Sequence, residues 1–392
     1  MTSGLLSNSK NDDNENIKKH YNLQKERSIG ERSTSRIINL LRENGNVKKY
    51  LLHLTAGAGL DSSNDVDNKT NKKIDAGASR PFILDIACGK GGMFNSFEKV
   101  VRVSKVIGID ISHSAIVNAH NRYQERCQQL ALSTKRPFEL NLFVADCFLH
   151  DVGLMVDASF ISSADRENKE KKVGEKVIDV AVCMFAAQYS CASEERCRQF
   201  FRNASCRLKD GGKLICTVPN PDVILHQLQQ QLQLATQKEK KENRENIKFG
   251  NSIYSVEILD LDRWNNFLES EKDVETRELK DEKKEEKKEL KIEEKFFGLR
   301  YNFSLVDSID NCTEYFLHLP AFLSVAKEFG FQILLSKTFS EISSSQSFSS
   351  FSEKLFSEKF FSKRSSNRLS KDELQVFDFY LALIFQKDKE PT

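Results

Sequence analysis

The alternation of short apolar runs with amphipathic segments between residues 81 and 220 constrains this chain most strongly. Each apolar run has the length expected of a buried strand, and the segments between the runs have helical spacing of their apolar residues. The predicted strands are 81–89, 106–112, 140–147, 177–185 and 213–220, and the predicted helices are 93–101, 114–132 and 193–208. Strands separated by helices pair in parallel, so we expect an α/β fold with a doubly wound sheet covered on both faces.

The remaining sequence is arranged around this core, which spans about 80–220. Residues 1–18 are polar and rich in Asn, Asp and Lys, which predicts a disordered tail ahead of one domain over 19–392. Segments at about 20–55, with helical spacing, and at about 248–388 complete that domain. Further expectations are a Gly/Asp/Asn-rich loop at 56–79, a polar insert at 158–176, a helix extension at 226–247, a solvated helical or disordered charged insertion at 268–295, a Ser/Phe-rich low-complexity loop at 340–370 with some Phe docked on the core, and a buried closing strand at 374–385.

Composition excludes several classes of protein. The formal charge of +2 is too small to indicate nucleic-acid binding by itself, so a polyanion site would need locally placed Lys and Arg. The nine cysteines include no C-x-x-C pair, which argues against a zinc module and favours a reduced intracellular setting, and we expect no metal site. No apolar run approaches the ~20 residues of a membrane span, so we expect no membrane association.

The strongest local signal is the run ILDIACGKGG at 83–92, where the first predicted strand ends. Glycine lets a ligand approach the main chain closely, and a loop at the carboxyl end of a parallel strand lines the ligand crevice of an open sheet. The run matches neither the phosphate loop G-x-x-x-x-G-K-[ST] nor the dinucleotide pattern G-x-G-x-x-G.

Acidic residues follow the next two strands in the same way. Asp110 ends the second strand, where a carboxylate can accept hydrogen bonds from the two hydroxyls of a ribose. Asp146 ends the third strand, where it would meet the amino group of an adenine. A single Asp at the end of a strand is a helix cap or turn residue as often as it is a ligand. Together with Asp85 in the first strand, however, these residues make three Asp at the ends of successive strands, which favours a nucleoside-containing cofactor.

This series of D-x-x-C-G-x-G-G, D and A-D-C resembles the class I S-adenosylmethionine-dependent methyltransferases. The resemblance implies a seven-stranded, mostly parallel, Rossmann-like sheet whose last strand is antiparallel, with S-adenosylmethionine as cofactor. Here it would carry an N-terminal helical extension and low-complexity insertions.

Further motifs resemble the eukaryotic mRNA cap guanine-N7 methyltransferases over about residues 20–388. They are HYN at 20–22, ERSTSRI at 31–37, RENGNVK at 42–48, QYS at 188–190, TVPN at 217–220, FGNSIY at 249–254, FGLRYNF at 297–303, EY at 314–315 and YLA at 380–382.

That resemblance assigns roles residue by residue. The implied cofactor-binding residues are Lys48, Asp85, Ala87, Gly89, Gly91, Asp110, Asp146, Met184 and Tyr189. The implied cap-binding residues are Asn44, Gly45, Lys90, Arg122, Gln188, Pro219, Glu314 and Tyr380, with Lys90 and Arg122 meeting the triphosphate. Glu314, Tyr189 and Tyr380 would position the guanine, and no residue is expected to act as a general base. Each of two residues also has an ordinary structural interpretation. Arg122 lies on an amphipathic helix, where most Arg side chains are simply solvated, and Tyr380 lies in an apolar strand, where a Tyr often belongs to the core.

The chain departs from the family pattern at several of these positions. Gln188 stands where the family has His, Ala87 where it has Gly, and Met184 where it has a polar residue. Met93 and Ser96 replace an acidic and a basic residue of the cofactor loop. None of these changes removes a group that the reaction requires, but each leaves room for weakened activity.

The resemblance therefore implies methyl transfer to N7 of the cap guanine of capped RNA, in the nucleus, by a monomer. Capping-pathway enzymes or RNA polymerase II are implied as partners by the pathway alone. Two alternatives stay open: a cap- or RNA-binding scaffold that has lost methyl transfer, and a methyltransferase of another substrate.

Overall fold

The computed structural model describes residues 18, 37–56, 80–131, 137–160, 174–237, 247–278, 296–357 and 369–389. Residues 1–17 of the expected tail, the helical segment before residue 37, residues 57–79 of the expected loop and most of the insert at 158–176 lie outside these ranges. None of the helices within them is long and apolar enough to cross a membrane.

A seven-stranded sheet forms the centre of the described structure. In chain order its strands are β1 (Phe82–Ile86), β2 (Lys105–Asp110), β3 (Glu139–Val144), β4 (Ile178–Met184), β5 (Leu208–Pro219), β10 (Phe331–Thr338) and β11 (Tyr380–Lys387). They lie in the order β10-β11-β5-β4-β1-β2-β3, and β11 runs antiparallel to both of its neighbours. The predicted class I sheet is confirmed. The strand order reverses beside β1, which runs parallel to both β2 and β4, and an open α/β sheet opens its ligand crevice at such a point.

Helices pack on both faces of this sheet. They are α1 (Ile38–Ala56), α2 (Phe94–Ser96, continued as a π-helical turn over Phe97–Val101), α3 (His113–Ala131), α4 (Gly153–Ala158), α5 (Glu194–Ser205), α6 (Pro221–Gln237), α7 (Leu261–Glu278), α8 (Leu319–Glu328), α9 (Phe339–Ser343), α10 (Gln346–Ser357) and α11 (Lys371–Asp378). A 3₁₀ turn, Ala187–Ala192, links β4 to α5.

A second sheet of four antiparallel strands closes one end of the molecule. It consists of β6 (Lys248–Gly250), β7 (Tyr254–Ile258), β8 (Arg300–Leu305) and β9 (Ile309–Tyr315). The rings of Phe303 in β8 and Phe379 beside β11 stack at 5.3 Å, which joins this sheet to the larger one. The small sheet therefore faces the carboxyl ends of the parallel strands.

Two predictions for the second half of the chain were wrong in part. The Ser/Phe-rich segment is not simply a loop, because residues 339–343 and 346–357 form α9 and α10. The segment 374–385 is not all strand, because α11 occupies Lys371–Asp378 before β11 begins at Tyr380. The hydrogen-bonded capping box between Ser370 and Glu373 starts that helix and overrides the apolar run that follows.

Helix α10 packs against α1 through aromatic side chains. Phe348 and Phe351 are buried, and their rings lie 5.4 and 5.3 Å from that of Tyr50. The Tyr50 hydroxyl and Ser347 Oγ are hydrogen-bonded at 2.8 Å. The expected docking of Phe residues on the core is thus confirmed, and it fixes the helix that carries Asn44 and Lys48.

Candidate active site

A cavity of about 500 Å³ lies between the carboxyl ends of the parallel strands, α1 and the four-stranded sheet. Its wall is built from residues of eight separate segments, so only the folded chain brings them together. Of the residues predicted for cofactor or cap, all but Gly45 and Gly91 line it: Asn44, Lys48, Asp85, Ala87, Gly89, Lys90, Asp110, Arg122, Asp146, Met184, Gln188, Tyr189, Pro219, Glu314 and Tyr380.

The loop after β1 turns through left-handed backbone conformations. Ala87, Gly89 and Gly91 have φ of 56°, 53° and 69°. A Cβ on Gly91 would stand 2.4 Å from Cε2 of Phe94, so this glycine is required by the packing of the turn rather than by contact with the cavity. Ala87 adopts a conformation that costs an L-residue about 1–2 kcal/mol, which is the physical consequence of its departure from glycine.

Asp85 and Asp110 place two carboxylates at the floor of the cavity. Asp110 Oδ2 accepts from the Gly89 amide and Oδ1 from the Ser112 amide, both at 2.8 Å. Burial raises the pKa of Asp110 above its ordinary value. Burial, with a further contribution from the Asp110 charge, raises the pKa of Asp85 to about 8. Asp85 Oδ2 is buried and has no hydrogen-bond partner within the described part of the chain, as expected of an acceptor that awaits a ligand.

Helix α1 supplies two polar side chains to the opposite wall. Burial lowers the pKa of Lys48 to about 8 despite the nearby Asp85 charge, and Lys48 Nζ lies 5.2 Å from the centre of the Phe185 ring. Asn44 is buried, and its Oδ1 accepts no hydrogen bond from any described residue. Gly45 lies on the same helix but is not among the described residues that line the cavity, so its cap contact stays a prediction.

Glu314 is the one carboxylate that the four-stranded sheet contributes to the described wall of the cavity. It is 3% exposed, and its Oε2 accepts from the Tyr301 hydroxyl at 2.9 Å across the β8–β9 pair. The polar side chains of Gln188 and Tyr189 lie near it and favour its charged form. Burial raises the pKa of Glu314 to about 7, because these neutral partners only partly replace water.

Gln188 occupies the position of the expected family histidine and is almost completely buried. Its Nε2 donates to the Phe185 carbonyl at 3.2 Å, while its Oε1 is buried without a partner in the described structure. Phe185 itself has φ of 60°, a strained conformation for a bulky residue, and its ring lies edge-on to Tyr380 at 4.7 Å. Such strain at a cavity wall is typical of functional sites.

The wall also contains residues that were not predicted from the sequence, and Arg196 and Phe185 are two of them. Arg196, at the start of α5, lines the cavity and donates to both oxygens of Asp146. Phe185 also lines it. The available signal for Arg196 was weak: its position three residues after the helix-capping Ser193 places its side chain back towards the strand ends.

The donor and acceptor set fits S-adenosylmethionine. Buried carboxylates at Asp85 and Asp110 suit a cationic amino acid moiety and ribose hydroxyls, and Asp146 suits an adenine amino group. The sheet and this set of residues define a class I S-adenosylmethionine-dependent methyltransferase.

Sequence comparison identifies the family. The model of the mRNA (guanine-N(7))-methyltransferase domain matches residues 5–388, so the chain belongs to that family. It is 26% identical over 382 residues to mRNA cap guanine-N(7) methyltransferase 1 of Oryza sativa subsp. japonica, covering 95% of this chain and 81% of that protein. It is 28% identical to the mRNA cap guanine-N(7) methyltransferase of Debaryomyces hansenii, covering 96% of this chain and 64% of that protein.

A relative from Caenorhabditis elegans with the same name is 26% identical over 83% of this chain and 66% of its own length. Among solved structures, an S-adenosylmethionine-dependent methyltransferase from Clostridium acetobutylicum covers 79% of this chain and 85% of its own, at 10% identity and a TM-score of 0.36. That score is too low to inform the function.

Proposed function

We propose that this chain transfers a methyl group from S-adenosylmethionine to N7 of the terminal guanine of capped RNA. The observation that carries the proposal is the pairing, within one cavity, of three strand-end carboxylates with Glu314 on the opposite sheet. The first set suits the cofactor, and Glu314 suits the N1–H and exocyclic N–H donors of a guanine.

The cofactor side of the cavity would be held by residues from several elements. Asp110, whose plane is fixed by two backbone amides, is the proposed acceptor for the ribose, and Asp146 for the adenine. The charged amino acid end would meet Asp85 and Lys48. Burial raises the pKa of Asp85 and lowers that of Lys48, each to about 8. The cofactor supplies an electrophilic methyl group on a sulfonium.

The cap side would be held by the remaining residues of the wall. Glu314 is the proposed acceptor for the guanine donors, with Tyr189, Tyr380, Gln188, Asn44 and Pro219 around it. Lys90 and Arg122 line the same cavity and are the proposed partners of the triphosphate, since phosphate oxygens favour Lys and Arg donors.

The chain's part in the reaction is alignment and electrostatics. Guanine N7 has a lone pair and no proton, so no residue has to act as a general base, and rate comes from holding the acceptor in line. As the purine becomes positively charged, its N1–H and exocyclic N–H become stronger donors. A buried Glu314 carboxylate therefore stabilises the charged purine more than the neutral one, which is the condition for raising the rate.

A comparison of acceptors tests the proposal. Radiolabelled S-adenosylmethionine is incubated at pH 8 with short RNAs that carry a guanosine cap, an adenosine cap or only a 5′ triphosphate. We expect label only in the guanosine-capped RNA. Label in none of them, with cofactor binding retained by calorimetry, would support the scaffold alternative and make Gln188, Met184 and Ala87 the positions to restore. A nuclear location and association with capping enzymes or RNA polymerase II follow from this function as parts of the same proposal.

A further inference from the structure

Arg196 clamps the carboxylate of Asp146 at the edge of the cavity. A single nitrogen, Arg196 Nη2, donates to Asp146 Oδ2 at 2.9 Å and to Oδ1 at 3.1 Å. The two side chains are only 12% and 9% exposed, and both line the cavity. This buried ion pair therefore forms part of the wall of the site itself.

The clamp leaves Asp146 with one free direction of hydrogen bonding. Oδ1 is already shared between Arg196 and the Phe148 amide, which donates to it at 3.0 Å. Oδ2 accepts only from Arg196 among the described residues, and a carboxylate oxygen has two lone-pair sites. With the plane of the carboxylate fixed by these contacts, Oδ2 presents a lone pair in a defined direction.

The cation also offsets the cost of burying the charge of Asp146. Removing two charges from water is costly, and a hydrogen-bonded ion pair recovers part of that cost. Arg196 is itself anchored, because it lies in the first turn of α5, where its backbone amide donates to the capping Ser193 at 3.3 Å. The clamp thus rests on rigid elements, which is the requirement for a precise acceptor.

We propose that Arg196 is a positioning residue that fixes Asp146 as an acceptor for the exocyclic amine of the cofactor's adenine, and so sets the preference for a 6-amino over a 6-oxo purine. The inference rests on the proposed function in taking Asp146 as the adenine partner. A 6-oxo purine presents an acceptor at that position, so it would meet the remaining lone pair of Asp146 Oδ2 acceptor to acceptor, and the 6-oxo oxygen would lack a donor there.

Calorimetry with S-adenosylhomocysteine and its 6-oxo counterpart, S-inosylhomocysteine, tests the proposal. Wild-type protein should prefer the adenine ligand at least tenfold. Arg196→Gln should weaken the adenine ligand about tenfold, the loss expected for one charge-assisted contact, and leave the 6-oxo ligand within about twofold. The matched control is Arg198→Gln, because Arg198 lies two residues further along the same helix and pairs with Glu194 and Glu328 outside the cavity.

A double-mutant cycle separates positioning from a general effect on the fold. If Arg196 acts through Asp146, Arg196→Gln should change adenine-ligand affinity less than twofold in an Asp146→Asn background. Equal losses for both ligands, additive losses in the cycle, or tighter adenine binding by Arg196→Gln would overturn the proposal. Wild-type protein that methylates capped RNA but does not discriminate the two ligands would overturn it while leaving the proposed function intact. Wild-type protein that binds neither ligand would instead remove the proposed function.

Discussion

Replacing Glu314 with Gln keeps the shape of the side chain and removes its charge. At pH 8 the wild-type carboxylate is ionised, because burial raises its pKa only to about 7. A hydrogen bond to a charged acceptor is worth about 1 kcal/mol more than one to a neutral acceptor, so two such bonds to guanine predict a loss of cap affinity of about 30-fold.

The effect on turnover should be larger than the effect on binding. A unit positive charge that develops on the purine roughly 6 Å from the carboxylate interacts with it by about 3 kcal/mol at an effective dielectric constant near 20. That term is present only as the methyl is transferred, so kcat should fall about 100-fold beyond the loss in affinity.

The assay measures kcat at saturating guanosine-capped RNA and, separately, the Kd of the unmethylated cap dinucleotide in the presence of S-adenosylhomocysteine. Glu257→Gln is the matched control, since Glu257 lies in β7 of the same sheet but outside the cavity wall. A Glu314→Gln variant that loses cap affinity with kcat unchanged would refute the electrostatic argument and reduce Glu314 to a binding residue.

Three further predictions follow from the same structure. Cap affinity should fall as the pH drops below 7, where Glu314 becomes protonated, and level off near the loss expected for Glu314→Gln. The affinity of that variant should stay flat from pH 5.5 to 7, and a flat wild-type profile over the same range would contradict the reasoning. The stability of the ligand-free protein should depend on pH in the opposite direction. Because the pKa of Glu314 in the folded protein lies above its ordinary 4.5, the free energy of unfolding should decrease as the pH rises from 4.5 to about 7. Urea unfolding should show a smaller decrease for Glu314→Gln. Ala87→Gly should raise the free energy of unfolding by about 1 kcal/mol, because it relieves a left-handed alanine, whereas an unchanged or lower value would show that the strain is absent.

The core of the fold could be predicted from the sequence because its strands are buried on both faces. Such strands are nearly continuous apolar runs, and β1, β2, β4 and β5 were placed within a few residues of their observed bounds on that ground. Strand β5 begins at Leu208, five residues before the predicted start at 213, and its pairing with β4 has a bulge in this stretch. Residues in a bulged stretch need not be apolar, so the apolar pattern places the start of that strand too late.

The elements beyond the core were harder because their signals are weak or mixed. Strand β10 lies at the edge of the sheet and is mostly exposed, so its residues lack the apolar pattern of a buried strand. The Ser/Phe composition of 340–370 indicated a loop, yet Phe348 and Phe351 find a partner in Tyr50, which is distant in sequence. Tertiary packing of this kind overrides local composition.

The site shows the same division between local motif and distant contact. The positions of Asp85, Asp110 and Asp146 at the ends of predicted strands were enough to predict them as site residues. The family resemblance predicted Glu314 and Tyr380, and the structure has all five in the wall of one cavity. The Arg196–Asp146 pair joins residues 50 positions apart, and no local sequence pattern predicts it. The folded structure is needed to see which Arg or Lys side chain pairs with which carboxylate.

The proposed reaction is methyl transfer to N7 of the cap guanine. Its most direct test is to incubate the protein with guanosine-capped RNA and ¹³C-methyl S-adenosylmethionine, digest the RNA to nucleosides, and identify the labelled product by mass spectrometry against authentic standards. We expect ¹³C in N7-methylguanosine released from the cap, and a loss of that label in Glu314→Ala with the cofactor still bound. Label in any other nucleoside, or in N7-methylguanosine at equal rate in the variant, would contradict it.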